Sequence, residues 1–216
     1  MIIAINNLHG ADAIKEASLF GVQWLGLNFV SGSPHEIKQV SSLAGLLPDA
    51  PPSCYAEVNH PTALLGIFRD EMPQTIVTRI YNFNLSAVRL DGMESPVLID
   101  NLRRTVIPDI CSGLTFVKTL NVKTKEDVAQ AKLYDHHADY LLFNMGTNPW
   151  EWLNAYDGET PFLISVLSSA DDVQRINSFH HQRMAGYSVE AQTDLEESGL
   201  KEQHLRLMIE KIKELR

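Results

Sequence analysis

Apolar residues in this chain fall into short unbroken runs, and most runs are followed by a stretch with apolar positions at helical spacing. Tyr140-Leu141-Leu142-Phe143-Asn144 is the clearest run. Without polar alternation it reads as a strand buried on both faces, the mark of a parallel sheet covered by helices. The same reading predicts strands at 2–6, 24–30, 64–69, 87–90, 116–122, 139–143, 162–166 and 185–189. Helices are expected at 11–19, from Pro34 to about 47, from Pro73, and at 96–105, 125–134, 150–156 and 170–179. Pro34, Pro73 and Pro96 each suit a first helical turn. A last helix carries Leu205, Met208, Ile209, Ile212 and Leu215 on one stripe. Residues 48–62 are proline-rich and least regular, with a short extra strand expected at 54–58.

Eight strand-helix units without a linker predict one closed (β/α)8 barrel, a single domain over 1–216. The alternative is an open doubly wound sheet. That fold carries a glycine-rich phosphate turn after its first strand, and Asn6-Asn7-Leu8-His9-Gly10 does not match one. In a barrel the C-terminal strand ends carry the chemistry. Asn144 therefore stands where a reacting group is expected, and it is an amide.

Composition narrows the partners. A net charge of −9 disfavours nucleic acid, because phosphate backbones attract clustered Lys and Arg. No apolar run reaches membrane-spanning length, and the start lacks the basic end of a signal peptide, so no membrane association and a cytoplasmic location are expected. Cys54 and Cys111 read as two reduced thiols. His136-His137 and His180-His181 each follow a helix, where they cap carbonyls. Adjacent histidines rarely chelate together, so no metal ion or other cofactor is expected. Arg89 and Asp91, two apart on one strand, share a face. They form either an interior ion pair or, centred on Arg89, an anion site. Lys118 could form a Schiff base or serve structurally.

Several motifs, in order along the chain, resemble phosphoribosylanthranilate isomerase, the small barrel enzyme of tryptophan biosynthesis. Leu25-Gly26-Leu27-Asn28-Phe29 with Ser33-Pro34-His35 is similar to the family's second strand and its Ser-Pro-Arg loop. Gly66-Ile67-Phe68-Arg69-Asp70 resembles Gly-Val-Phe-Val-Asn. Val88-Arg89-Leu90-Asp91-Gly92-Met93-Glu94-Ser95 resembles Val-Gln-Leu-His-Gly-x-Glu-Ser. Phe116-Val117-Lys118, Leu141-Leu142-Phe143-Asn144 and Glu151-Trp152 resemble Val-Ile-Lys, Leu-Leu-Leu-Asp and Asp-Trp.

The resemblance implies an Amadori rearrangement with a cysteine base after the first strand and an aspartic acid after the sixth. Those positions align with Asn6 (Ile5 with the gap placed differently) and with Asn144, and a carboxamide does not titrate in the working range. The arginine that meets the anthranilate carboxylate aligns with His35, and a histidine aligns with Asp91. The glycine-rich phosphate turns align with Ser165-Val166-Leu167-Ser168 and with Tyr187-Ser188-Val189-Glu190, where Glu190 would repel a phosphate. Asn28, His35, Arg89, Asp91, Ser165, Ser168 and Ser188 are thus the candidate ligand-binding residues, with Asn6 and Asn144 at the substituted catalytic positions.

Three readings follow. One is a non-catalytic or repurposed barrel that binds a small polar or phosphorylated metabolite, or a partner, as a monomer or homodimer. Another is a working isomerase using substitutes such as His35 or Asp91. The third is different chemistry centred on Arg89, Asp91 and Lys118. Asn6 and Asn144 are expected to bond each other or water at the rim, or to orient a new ligand.

Overall fold

The computed structural model describes residues 1–8, 11–37, 39–42, 45–48, 62–107, 109–167, 170–190 and 199–214. The order is β1 (Ile2–Asn6), α1 (Ala11–Ser18), β2 (Trp24–Asn28), β3 (Gln39–Ser42), β4 (Gly45–Pro48), β5 (Ala63–Phe68) and α2 (Pro73–Phe83). It continues with β6 (Ala87–Leu90), α3 (Pro96–Val106), β7 (Thr115–Asn121), a 3₁₀ segment (Lys125–Tyr134) and β8 (Tyr140–Asn144). A second 3₁₀ segment (Trp150–Ala155), β9 (Phe162–Leu167), α4 (Ala170–Ser178), β10 (Met184–Glu190) and α5 (Gly199–Glu214) complete it.

Eight of these strands close into a parallel barrel, in the cyclic order β1-β10-β9-β8-β7-β6-β5-β2. Every barrel strand predicted from the apolar runs is present, with ends displaced by two residues at most. One prediction fails. The expected helix from Pro34 is absent, and 39–48 instead carries the antiparallel pair β3–β4, with Val40 opposite Leu47. Gly45, the Ser41-Ser42 pair and Pro48 all weaken a helix there, while Val40 favours a strand. The strand expected at 54–58, Cys54 with it, lies outside the described residues.

Alternation along each strand sorts side chains between two cores. Val88, Leu90, Leu141 and Phe143 face the helices and join the larger apolar cluster. Ala4, Trp24, Leu65, Ile67, Ala87, Val117, Leu142 and Leu163 fill the lumen. Trp24 on β2 and Tyr140 on β8 meet edge-to-face at 5.6 Å. These strands stand four places apart in a ring of eight, so the rings touch across the full diameter. Trp150 packs at the wall against Phe179 and Tyr187. On α5, Leu205, Met208, Ile209 and Ile212 of the predicted stripe are buried, and Leu215 lies outside the described residues. No helix among the described residues is long and apolar enough to cross a membrane.

Candidate functional site

The lumen is apolar until the C-terminal strand ends, where β6 presents Arg89 and Asp91. Their inward aim follows from parity with Ala87, while Val88 and Leu90 point the other way. The Arg89 guanidinium grips Asp91 with two bonds, Nε to Oδ1 at 2.7 Å and a terminal nitrogen to Oδ2 at 2.9 Å. Its other terminal nitrogen donates to Glu190 Oε1 at 2.6 Å. Glu190 ends β10, which stands opposite β6 in the ring. Arg89 is therefore a charged strut across the barrel mouth, set at right angles to the Trp24–Tyr140 contact in the order of strands.

Neutral donors extend this network. Thr119 on β7 donates to Asp91 Oδ1 at 2.5 Å. Asn6 Nδ2 donates to Ser188 Oγ at 2.6 Å and to Glu190 Oε1 at 3.1 Å. Asn7 has a φ of 61°, a left-handed conformation that Asn tolerates, and donates to Glu190 Oε2 at 3.2 Å. Asn28 donates to Asn7 Oδ1 at 3.0 Å and accepts from the Val30 N–H at 2.9 Å. The carbonyl end of Asn6 is buried without a hydrogen-bond partner among the described residues and lies against Gly26. A methyl group at 26 would stand 2.3 Å from that oxygen.

Burial is the largest influence on Asp91 and opposes its ionisation. The Arg89 charge, its hydrogen bonds, Thr119 and the charge of Arg69 outweigh it and hold the carboxyl below the usual aspartate range. Burial likewise opposes the Arg89 charge, and the two carboxylates overcome it, so its pKa is raised. Arg89 and Asp91 are both charged throughout the neutral range.

A cavity of about 350 Å³ opens beside the strut. Asn7, Asn28, residues 30–35, Ile67, Arg69, Arg89, Asp91 and Glu190 line it. His35 sits in its wall with Nδ1 buried and without a partner among the described residues. A second cavity, about 670 Å³, lies between the ends of β7 and β8 and the first 3₁₀ segment, with Thr119, Asn121, Tyr134 and Asn144 in its walls.

The predicted site residues divide accordingly. Asn28, His35, Arg89 and Asp91 meet at the first cavity, and Asn6 and Ser188 lie buried in the adjoining network. Asn144 belongs to the second cavity, where it donates to Asn121 Oδ1 at 2.9 Å. The expected mutual bond between Asn6 and Asn144 is not made, because each takes a nearer partner on an adjacent strand. Ser165 lies in register beside Ser188 but lines neither cavity. Ser168 is outside the described residues.

Lys118 does not join Arg89 and Asp91. Its parity is opposite to that of Val117, so it leaves the lumen for the helix side. There it donates to Gly92 O at 2.6 Å, Glu94 Oε2 at 2.9 Å and Leu90 O at 3.2 Å. Three acceptors and full burial make it a structural clamp. The ion-pair reading of Arg89 and Asp91 holds, and Glu190 enlarges it.

Asn7, Arg69 and Thr119 are site residues that sequence reasoning missed. Arg69 stands two residues beyond inward-facing Ile67, and Thr119 two beyond inward-facing Val117, so strand parity was the signal for both. Of the paired histidines, His137 Nδ1 faces Asp100 at 3.0 Å, while His181 packs on Phe162 at 5.0 Å. Among the described residues no three His, Cys, Asp or Glu converge as a metal site would require.

No family model matches the chain. It is similar to a curated N-(5'-phosphoribosyl)anthranilate isomerase of Parabacteroides distasonis, at 25% identity over 94% of this chain and 88% of the relative. A second, from Phocaeicola vulgatus, is 26% identical over 86% of this chain and 85% of its own length. Among solved structures, a monomer derived from the dimeric enzyme of Thermotoga maritima superposes with a TM-score of 0.75. It covers 99% of this chain and 100% of that one at 17% identity, a likeness of fold.

Proposed function

We propose that this divergent relative of the phosphoribosylanthranilate isomerases has lost the Amadori step and binds a small polar metabolite at its C-terminal rim. The observation that carries the reading is the state of Asn6. It occupies the position that the resemblance assigns to a proton-accepting cysteine, and both of its amide hydrogens are drawn into Ser188 and Glu190. Asn144, at the position assigned to the acid, is likewise a non-titrating amide, bonded to Asn121. Losing a general acid or base costs about 10²–10⁴-fold for each group. Above them the Arg89 strut crosses the space that a substrate would enter, and Glu190 adds negative charge where an anionic substrate would lie. The protein acts in the cytoplasm as a monomer or homodimer.

The test is turnover of phosphoribosylanthranilate by the purified protein, with rescue of an isomerase-deficient bacterium growing without tryptophan. Neither is expected. Restoring Asn6→Cys and Asn144→Asp together should not recover growth, because the strut would still stand. Rescue by the unaltered chain at low expression defeats the reading.

One observation favours a working isomerase with substitute residues: His35, in the wall of the cavity that Asp91 also lines, has a ring nitrogen without a partner among the described residues. On that alternative the protein turns over, and His35→Ala or Asp91→Asn abolishes the activity.

A further inference from the structure

The first cavity has two ends of opposite character. At its floor, Arg89 carries one positive charge against the two carboxylates of Asp91 and Glu190, leaving one negative charge in excess. Asp91 is gripped by two guanidinium nitrogens and a hydroxyl. Among the described residues Glu190 meets one cationic nitrogen, and its other donors are neutral amides. Its charge is the less compensated of the two, and it faces the cavity.

At the mouth the balance reverses. Arg69 is exposed and lines the cavity, yet it makes no hydrogen bond or ion pair with any described residue. Its guanidinium offers a planar fork of donors that matches a carboxylate. His35 also lines the cavity, with its Nδ1 buried and without a hydrogen-bond partner among the described residues.

We propose that this cavity is a binding site for a small zwitterion, such as a free amino acid, with its ammonium toward Glu190 and its carboxylate on Arg69. This rests on the ligand-binding reading above and names the class of ligand. A dianion would satisfy Arg69 but set its second charge against Glu190 and Asp91. A diamine would satisfy the floor and be repelled at the mouth. A molecule with one charge of each sign matches both ends. The volume sits at the lower end of small-molecule pockets, about 300–1,000 Å³, as suits a ligand of this size.

The experiment is calorimetric titration of the intact protein with the free L-amino acids, at concentrations up to about 10 mM. Each binder is compared with its decarboxylated amine and its deaminated acid. At least one amino acid should bind, with both half-ligands weaker by about tenfold or more. Arg69→Gln, an exposed substitution that leaves the strut intact, should weaken it by a similar factor. Arg69→Glu should invert the preference, so that a diamine binds and the amino acid does not. No binding by any amino acid, equal binding of the deaminated acid, or indifference to Arg69→Gln would overturn the proposal. Isomerase turnover of the same preparation is read separately. Turnover together with amino-acid binding sinks only the loss of the Amadori step, whereas failure of binding in an inactive protein sinks only the zwitterion.

Discussion

Asn6 is confined from two sides. Its nitrogen serves Ser188 and Glu190 on β10, while its oxygen presses on the bare Cα of Gly26 on β2. Gly26→Ala should therefore push Asn6 out of its bonds, with a loss of about 1–3 kcal/mol in urea denaturation. An alanine tolerated without loss would show that the amide is free to move. Asp91 has a pH signature. Its folded pKa is depressed, so its contribution to stability is present above the unfolded value, about 3.9, and fades as pH falls through the folded value. The stability gap between the wild type and Asp91→Asn should be constant near neutrality and shrink below about pH 4. A gap that grew on acidification would contradict the Arg89 pairing.

At the scale of elements, the turn between β6 and α3 is held from beneath. Glu94 accepts from the N–H groups of Asp70 at 2.8 Å and Gly92 at 2.9 Å, and Lys118 completes its charge. Ser95 then caps α3, accepting from Leu98 N–H at 3.3 Å. Removing one partner of a buried pair strands the other, so Lys118→Met should cost about 3–5 kcal/mol. Borohydride with carbonyl compounds should trap no adduct on wild-type Lys118, since its amine is spent on three acceptors. A stable Lys118→Met protein, or a trapped adduct, would return this lysine to the candidate chemistry. The strand parity that carries Lys118 away from the lumen was legible in the sequence, because Phe116, Lys118 and Leu120 alternate with Val117 and Thr119. What its amine meets on the far side was not.

On the whole-molecule scale, two contacts span the barrel along different diameters. Trp24 with Tyr140 joins β2 to β8 through aromatic edges, and Arg89 with Glu190 joins β6 to β10 through charge. Both tie strands that no backbone ladder connects. A double-mutant cycle of Arg89→Met with Glu190→Gln should show a coupling of about 0.5–3 kcal/mol despite their 101-residue separation. Additive effects would mean that the strut carries no load across the lumen.

Unbroken apolar runs at regular intervals determined the strands, their count and the closure into a barrel, because burying both faces of a parallel sheet demands that pattern. Alternation within each run also determined that Arg89 and Asp91 share a face. Where the run was weak, at 39–48, residues that disfavour a helix left an antiparallel ribbon in its place. The partners of each inward group were decided only when the barrel closed. Asn6 meets Ser188 across 182 residues of chain, and Arg89 meets Glu190 across the lumen. Such contacts depend on the order of strands around a ring and on where long side chains find charge, neither of which is encoded in local spacing.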